Sequence, residues 1–171
     1  MGRTTENFQP ISDNYLKFIV KELKPFIDTK YSVKTDKNNT FIAGSSMGGL
    51  ISMYALLEYP DVFGGAACLS THWPGVFSME NNPIPESFFA YLEKNLPKVI
   101  NNKLYFDYGD KTLDALYPPL QEKVDVIMEK IKQQNKSKKI QWQTHFFPNA
   151  NHSENAWKER LAIPLEFLLR K

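Results

Sequence analysis

Asn39-Thr40-Phe41-Ile42-Ala43, then Gly44-Ser45-Ser46-Met47-Gly48, then Gly49-Leu50-Ile51-Ser52-Met53-Tyr54-Ala55-Leu56-Leu57-Glu58-Tyr59 is the stretch whose reading decides the fold. The first five residues are short and apolar enough for a buried strand. The last eleven read as a helix that Pro60 stops. Between them sits G-x-S-x-G, a pattern that arises by chance in about one chain of this length in twenty, so its surroundings carry the weight. A strand entering the pattern and a helix leaving it are the context of a nucleophile elbow. In such a turn the middle residue is forced into a strained backbone conformation, and the flanking glycines are expected to make room where side chains would collide. Ser46 then projects at the end of the sheet and at a helix N-terminus, where N–H groups and the helix dipole favour negative charge.

Composition bounds what surrounds that turn. A chain of 171 residues with 42% apolar and 13% aromatic content supports a single domain, residues 1–171, with a real core. The formal charge of +2 gives no reason to invoke nucleic acid. Lys136-Ser137-Lys138-Lys139 is the densest basic spot, expected to cap a helix or face water. Cys68 is the one cysteine, so no internal disulfide exists, and its apolar neighbours mark it as a buried thiol. No apolar segment approaches the ~20 residues of a membrane span, and the first residues do not read as a signal peptide.

Periodicity organises the rest. Tyr15, Leu16, Ile19, Val20, Leu23, Phe26 and Ile27 recur at helical spacing over residues 12–29, with Ser12 as N-cap and Pro25 as a kink or stop. Gly65 to Ser70 reads as a second strand, apolar throughout and so covered on both faces. A proline-rich loop over residues 72–85 leads to a short helix from Glu86 to Leu96. Lys103 to Gly109 is the third strand, Leu120 to Ile131 marks a helix, Ile140 to Phe147 is the fourth strand, and a helix around Trp157, Leu161, Leu165 and Leu168 closes the chain. One helix followed by strand–helix four times predicts an α/β fold with a mostly parallel sheet sandwiched by helices.

In open α/β sheets, reactive groups gather beyond the C-terminal ends of the strands. A serine hydroxyl there needs a base, and the base needs an acid to fix its tautomer. Of the three histidines, His152 follows the fourth strand through the turn-rich Pro148-Asn149-Ala150-Asn151 and is the base. His145 lies inside the strand and His72 precedes the candidate acids. The loop after the third strand offers Asp110 and Asp114, with Asp107 still inside the strand. Asp114 is preferred, Asp110 stays open, and either also fits ordinary helix capping. The order Ser46, Asp114, His152 is the one an elbow serine requires. The Met47 N–H is the expected oxyanion donor, and Trp73 is placed as a substrate-lining side chain or, equally, as an aromatic packed on its loop. No metal or other cofactor is implied.

Phe41-Ile42-Ala43-Gly44-Ser45-Ser46-Met47-Gly48-Gly49, with Tyr105-Phe106-Asp107-Tyr108-Gly109 and Asn151-His152-Ser153-Glu154, resembles the esterase branch of the α/β-hydrolases, which holds enterochelin esterase-like, feruloyl and acetyl-xylan esterases and the esterase D group. The resemblance runs over nearly the whole chain. It implies Ser46 as nucleophile, Asp114 as acid, His152 as base, and hydrolysis of an acylated carbohydrate, phenolic or siderophore-type ester through an acyl-enzyme. Members of that branch carry several strands before the elbow strand, and a loop among them gives the second oxyanion donor. The chain thus resembles the C-terminal half of such a hydrolase, with the elbow strand at an edge. That arrangement predicts self-association through the edge or a partner chain that completes the sheet. The competing reading is a catalytically incomplete remnant that serves as a binding module.

Overall fold

The computed structural model describes residues 11–77, 80–99, 101–134 and 141–170. The basic Lys136–Lys139 spot and Ile140 lie outside the described residues. The chain divides into two compact units, Met1–Thr35 and Asp36–Lys171.

The first unit is helical: α1 (Ser12–Phe18), a π-helical turn (Ile19–Leu23) and α2 (Lys24–Lys30). Pro25 explains the wide turn, because it has no N–H to give the Lys21 carbonyl, and a π register just ahead absorbs the missing bond. Ser12 is the first helical residue, so Ile11 takes the cap position and no side chain caps the helix, contrary to the expectation for Ser12. Lys24 Nζ ties α2 to its exit loop, donating to Asp28 Oδ2 at 2.6 Å and to the Thr35 carbonyl at 2.8 Å.

The second unit alternates strictly. Its elements are β1 (Phe41–Ser45), α3 (Met47–Glu58), β2 (Gly65–Leu69), α4 (Ile84–Asn95), β3 (Lys103–Tyr108), α5 (Pro118–Gln134), β4 (Gln141–Phe146), α6 (Glu154–Arg160) and α7 (Ala162–Leu169). The four strands form one sheet in the order β1-β2-β3-β4, every pairing parallel. Among the described residues β1 and β4 are its edges. Every residue of β2 is buried, which is why that segment shows no polar alternation.

Helices cover both faces. Ala67, Leu69 and Tyr105 point to one side, where Leu168 of α7 joins them and Phe41, Trp157, Ile163 and Phe167 pack around. Ala66, Cys68, Leu104 and Phe106, all fully buried, point to the other, as the two-residue strand period requires. There Trp73 lies 6.1 Å from Phe106 and 5.7 and 6.4 Å from Phe88 and Phe89 of α4, bridging sheet and helix. Lys103 Nζ donates to the carbonyls of Phe167 and Leu168 at 3.1 Å each, and to that of Arg170, closing the negative end of α7 with a cation. The closing helix of the sequence reading is in fact α6 and α7, broken at Leu161, where Pro164 leaves the Arg160 carbonyl without its helical donor.

Register levels the strand ends: Ser45 stands opposite Leu69, Leu69 opposite Asp107, and Asp107 opposite His145. The elbow forms at this edge. Ser46 has φ 57° and ψ −121°, a conformation that costs an L-residue about 1–3 kcal/mol and persists only where neighbours fix it. Its N–H donates to the Leu69 carbonyl at 2.9 Å, and its carbonyl accepts from the His72 N–H at 3.1 Å and from Gly49 and Leu50 at 3.0 and 3.2 Å. The flanking glycines are not equivalent, which corrects the expectation that both make room. A Cβ at Gly44 would meet the Gly48 carbonyl oxygen at 2.4 Å, whereas one at Gly48 meets nothing within 4 Å.

Gly44→Ala is therefore expected to destabilise the chain by about 1–3 kcal/mol through overpacking. Gly48→Ala, in the first turn of α3, is expected to be neutral or stabilising by up to about 1 kcal/mol through helix propensity. Urea denaturation of both variants checks the contrast, and equal losses would contradict it.

Candidate active site

The loops after β3 and β4 are stitched to each other before either offers a functional side chain. The Asp110 and Lys111 N–H groups both donate to the Ala150 carbonyl at 3.1 Å, and Asp110 Oδ1 accepts the Asn149 N–H at 2.8 Å. The His152 N–H donates to Thr112 Oγ1 at 2.9 Å. Gly109 permits this approach, since a Cβ there would lie 2.1 Å from the Ala150 oxygen. Asp110, the open alternative, thus serves as a loop tie with its carboxylate engaged, and it also pairs with Lys111 at 3.4 Å.

The stitched loops bring Ser46, Asp114 and His152 together. Asp114 Oδ1 lies 2.6 Å from His152 Nδ1, and His152 Nε2 lies 2.9 Å from Ser46 Oγ. An ionised carboxylate only accepts, so Nδ1 carries the proton and Nε2 is left to accept from the serine hydroxyl. The Asp114 side chain is fully buried and that of His152 is 13% exposed. Asp114 Oδ2 accepts from the Gly109 N–H at 2.7 Å and from Ser70 Oγ at 2.6 Å. Burial pushes the Asp114 carboxyl up, but its bonds to His152, Ser70 and Gly109 outweigh that and hold it below its ordinary value. The imidazole is packed edge-on against Trp157, 4.9 Å away at 87°, and against Tyr117, 5.7 Å away at 75°.

Met47 opens α3, so its N–H is one of the helix's first, intrahelically unpaired donors. Ser46 occupies the cap position with no side-chain capping bond, which leaves its hydroxyl to His152. The Met47 side chain is 50% exposed and Phe77 is 89% exposed, 5.6 Å from the His72 ring. Trp73 does not line open surface. It is 1% exposed, and its Nε1–H donates to Gln121 Oε1 at 3.1 Å, so the expected substrate-lining side chain is a core anchor. His72 is also buried. Its Nδ1 lies 2.8 Å from the Tyr117 hydroxyl and its Nε2 lies 3.1 Å from the Val76 carbonyl. Burial lowers its pKa, against the Val76 bond that raises it. His145 stacks on Tyr105 at 5.3 Å within the sheet.

Ser70, Thr112 and Tyr117 touch this constellation and were not singled out by the sequence. The one signal available was position. Ser70 directly follows β2, at the level where Ser46 follows β1. Among the described residues no group of three or more His, Cys, Asp or Glu side chains is arranged to hold a metal ion, and no helix is long and apolar enough to cross a membrane.

Residues 3–168 match the family described as "Putative esterase". The ferri-bacillibactin esterase BesA of Bacillus subtilis is 33% identical over 86 residues, 49% of this chain and 28% of its own length. An endo-1,4-β-xylanase/feruloyl esterase of Xylanibacter ruminicola is 31% identical over 97 residues, 54% of this chain and 13% of its own. The chain spans about a quarter of the length of the first curated relatives it matches, 27% for each. Among solved structures, an enterochelin esterase from Shigella flexneri superposes with TM-score 0.67 at 18% identity, over 92% of this chain and 37% of that one. A ferulic acid esterase superposes with TM-score 0.61 at 22% identity, over 91% and 60%. The likeness to these structures establishes the α/β-hydrolase fold, and the match across residues 3–168 establishes that the chain belongs to this esterase family.

Proposed function

We propose that the chain carries the nucleophile, base and acid of a serine carboxylic-ester hydrolase working through an acyl-enzyme. The observation that carries the reading is the continuous hydrogen-bonded line from Asp114 through His152 to Ser46, at 2.6 and 2.9 Å, between loops that depart from different strands.

On this reading Ser46 Oγ attacks the ester carbonyl carbon while His152 Nε2 takes its proton. The carbonyl π electrons move to oxygen, and the Met47 N–H at the positive end of α3 meets the resulting oxyanion. Asp114 stays ionised and stabilises the imidazolium. Collapse of the tetrahedral intermediate breaks the bond to the alcohol, which leaves with the proton from His152. Water then attacks the acyl-enzyme by the same route in reverse, releasing the acid and restoring Ser46. The substrate belongs to the acylated carbohydrate, phenolic or siderophore-type esters. Relatives named for bacillibactin, enterochelin and ferulic acid support that class, and the exposed Met47 beside Ser46, with Phe77 exposed against the His72 ring, suits an aromatic ester.

A second reading, a binding module with the fold but without turnover, is favoured by one feature. Among the described residues the elbow strand β1 lies at the sheet edge, with no further strand beside it to lend the Met47 N–H a second oxyanion donor. Loss of a single oxyanion donor alone costs about 10² to 10³ in rate.

Hydrolysis of p-nitrophenyl acetate and butyrate is expected in the unaltered chain and absent in Ser46→Ala. Equal rates in both would favour the binding module. Asp114→Asn is expected to lower kcat by roughly four orders of magnitude, because the imidazole then adopts the wrong tautomer. The same variant gives a stability test. A carboxyl held below its ordinary value stabilises the fold above its unfolded pKa of about 3.9, and that contribution is lost as pH falls through the depressed folded value. The stability difference between the unaltered chain and Asp114→Asn, from urea midpoints, should shrink as pH drops from about 5 toward 2. A difference that does not change with pH would show Asp114 to be unperturbed.

A further inference from the structure

Behind Asp114 lies a buried ion pair that the acyl-enzyme scheme does not use. Arg160 Nη2, at the end of α6, donates to Asp107 Oδ1 at 2.9 Å, and the two side chains are 3% and 0% exposed. Burying such a pair costs more than placing apolar residues of the same size there, so it is weak as a stabilising device. Burial pushes the Asp107 carboxyl up, against the pull of the Arg160 charge.

What the pair does locally is fix Ser70. The same Arg160 Nη2 lies 2.7 Å from Ser70 Oγ, and Ser70 Oγ lies 2.6 Å from Asp114 Oδ2. A guanidinium has no acceptor, so the single hydroxyl proton of Ser70 has nowhere to go on that side and points to Asp114. The Ser70 backbone is held as firmly. Its N–H donates to the Asp107 carbonyl at 2.9 Å and to Asp107 Oδ1 at 3.0 Å, and its φ is +40°. Asp107, the charge inside an apolar strand, therefore grips both the main chain of Ser70 and the arginine that orients its hydroxyl. With Ser70 and Gly109 both donating to Oδ2, Asp114 Oδ1 is left facing His152.

We propose that Ser70 is a positioning residue for Asp114, its hydroxyl aimed by Arg160 and its backbone locked by Asp107. The proposal rests on the reading of Asp114 as the acid of the site. It differs from a purely structural role, in which Ser70 only satisfies Arg160 and Asp114 is indifferent to it.

Carbon-detected NMR titration of the aspartate carboxyls in the full chain tests this, with Ser70→Ala beside Ser70→Gly. Both variants remove the hydroxyl, but alanine keeps the Cβ strain that serine already carries at φ +40° whereas glycine relieves it, so the two differ in their effect on the backbone. Loss of a hydrogen bond to a charged group is expected to raise the Asp114 titration midpoint by about one pH unit in both. Labelling of Ser46 by a fluorophosphonate should slow roughly tenfold in both, because an acid no longer held in place orients the imidazole less well. An unchanged Asp114 midpoint in both variants, or a change confined to one of them, would overturn the proposal. An unaltered chain that resists the fluorophosphonate yet shows the midpoint rising in both variants would remove the hydrolase reading and leave the positioning of Asp114 standing.

Discussion

The backbone of Ser46 sits in a left-handed conformation that its own chain disfavours, and the end of β2 holds it there. The Leu69 carbonyl accepts its N–H, and the His72 N–H donates to its carbonyl. Everything at this edge of the sheet is measured from that clamp. β2 is buried along its whole length and paired on both sides, so the strained turn is anchored on a fully hydrogen-bonded strand. The strain does local work: it ends β1, starts α3, and leaves the Ser46 hydroxyl outside the helix cap and free to bond His152.

A second constraint follows from parallel pairing. Level registration sends the exits of β1, β2 and β3 to the same edge, so residues far apart in sequence meet without any long side chain having to reach. The contact between Ser46 and His152 spans 106 positions and that between Asp114 and His152 spans 38. The loops that span those gaps are fixed mainly by main-chain groups. The Ala150 carbonyl receives two N–H donors and sits where only a glycine lets it come so close. Side-chain geometry at the site is thus inherited from backbone geometry, which is the way a reactive constellation is kept within hydrogen-bond distance at rest.

A mostly parallel sheet was legible because strand-like segments alternate with helical periods, and β2 is apolar throughout; the order β1-β2-β3-β4 was not. The elbow was legible because G-x-S-x-G stood between a strand and a helix. Ser46 and His152 could be placed at one edge from topology, while the acid stayed open between Asp114 and Asp110. Other features needed distances that sequence does not carry. Trp73 reads the same whether it lines a pocket or fills a core, since its indole partner, Gln121, lies 48 positions away. Asp110 and Asp114 share one loop, and only the turn beginning at Thr112 decides which carboxylate faces inward. Gly48 matches the motif yet has open space around it, so a motif position need not be a steric requirement. The break between α6 and α7 was visible in principle at Pro164. Asp107 was read only as lying inside the third strand, and nothing in the sequence named Arg160 as its partner.

The central claim is that Ser46 is an activated nucleophile. Fluorophosphonate labelling of the full chain, with the adduct located by mass spectrometry and the rate compared with that of His152→Gln, tests it most directly. The account predicts a single adduct on Ser46 whose formation collapses when His152 is replaced. No adduct, or one that forms equally fast without His152, would contradict it.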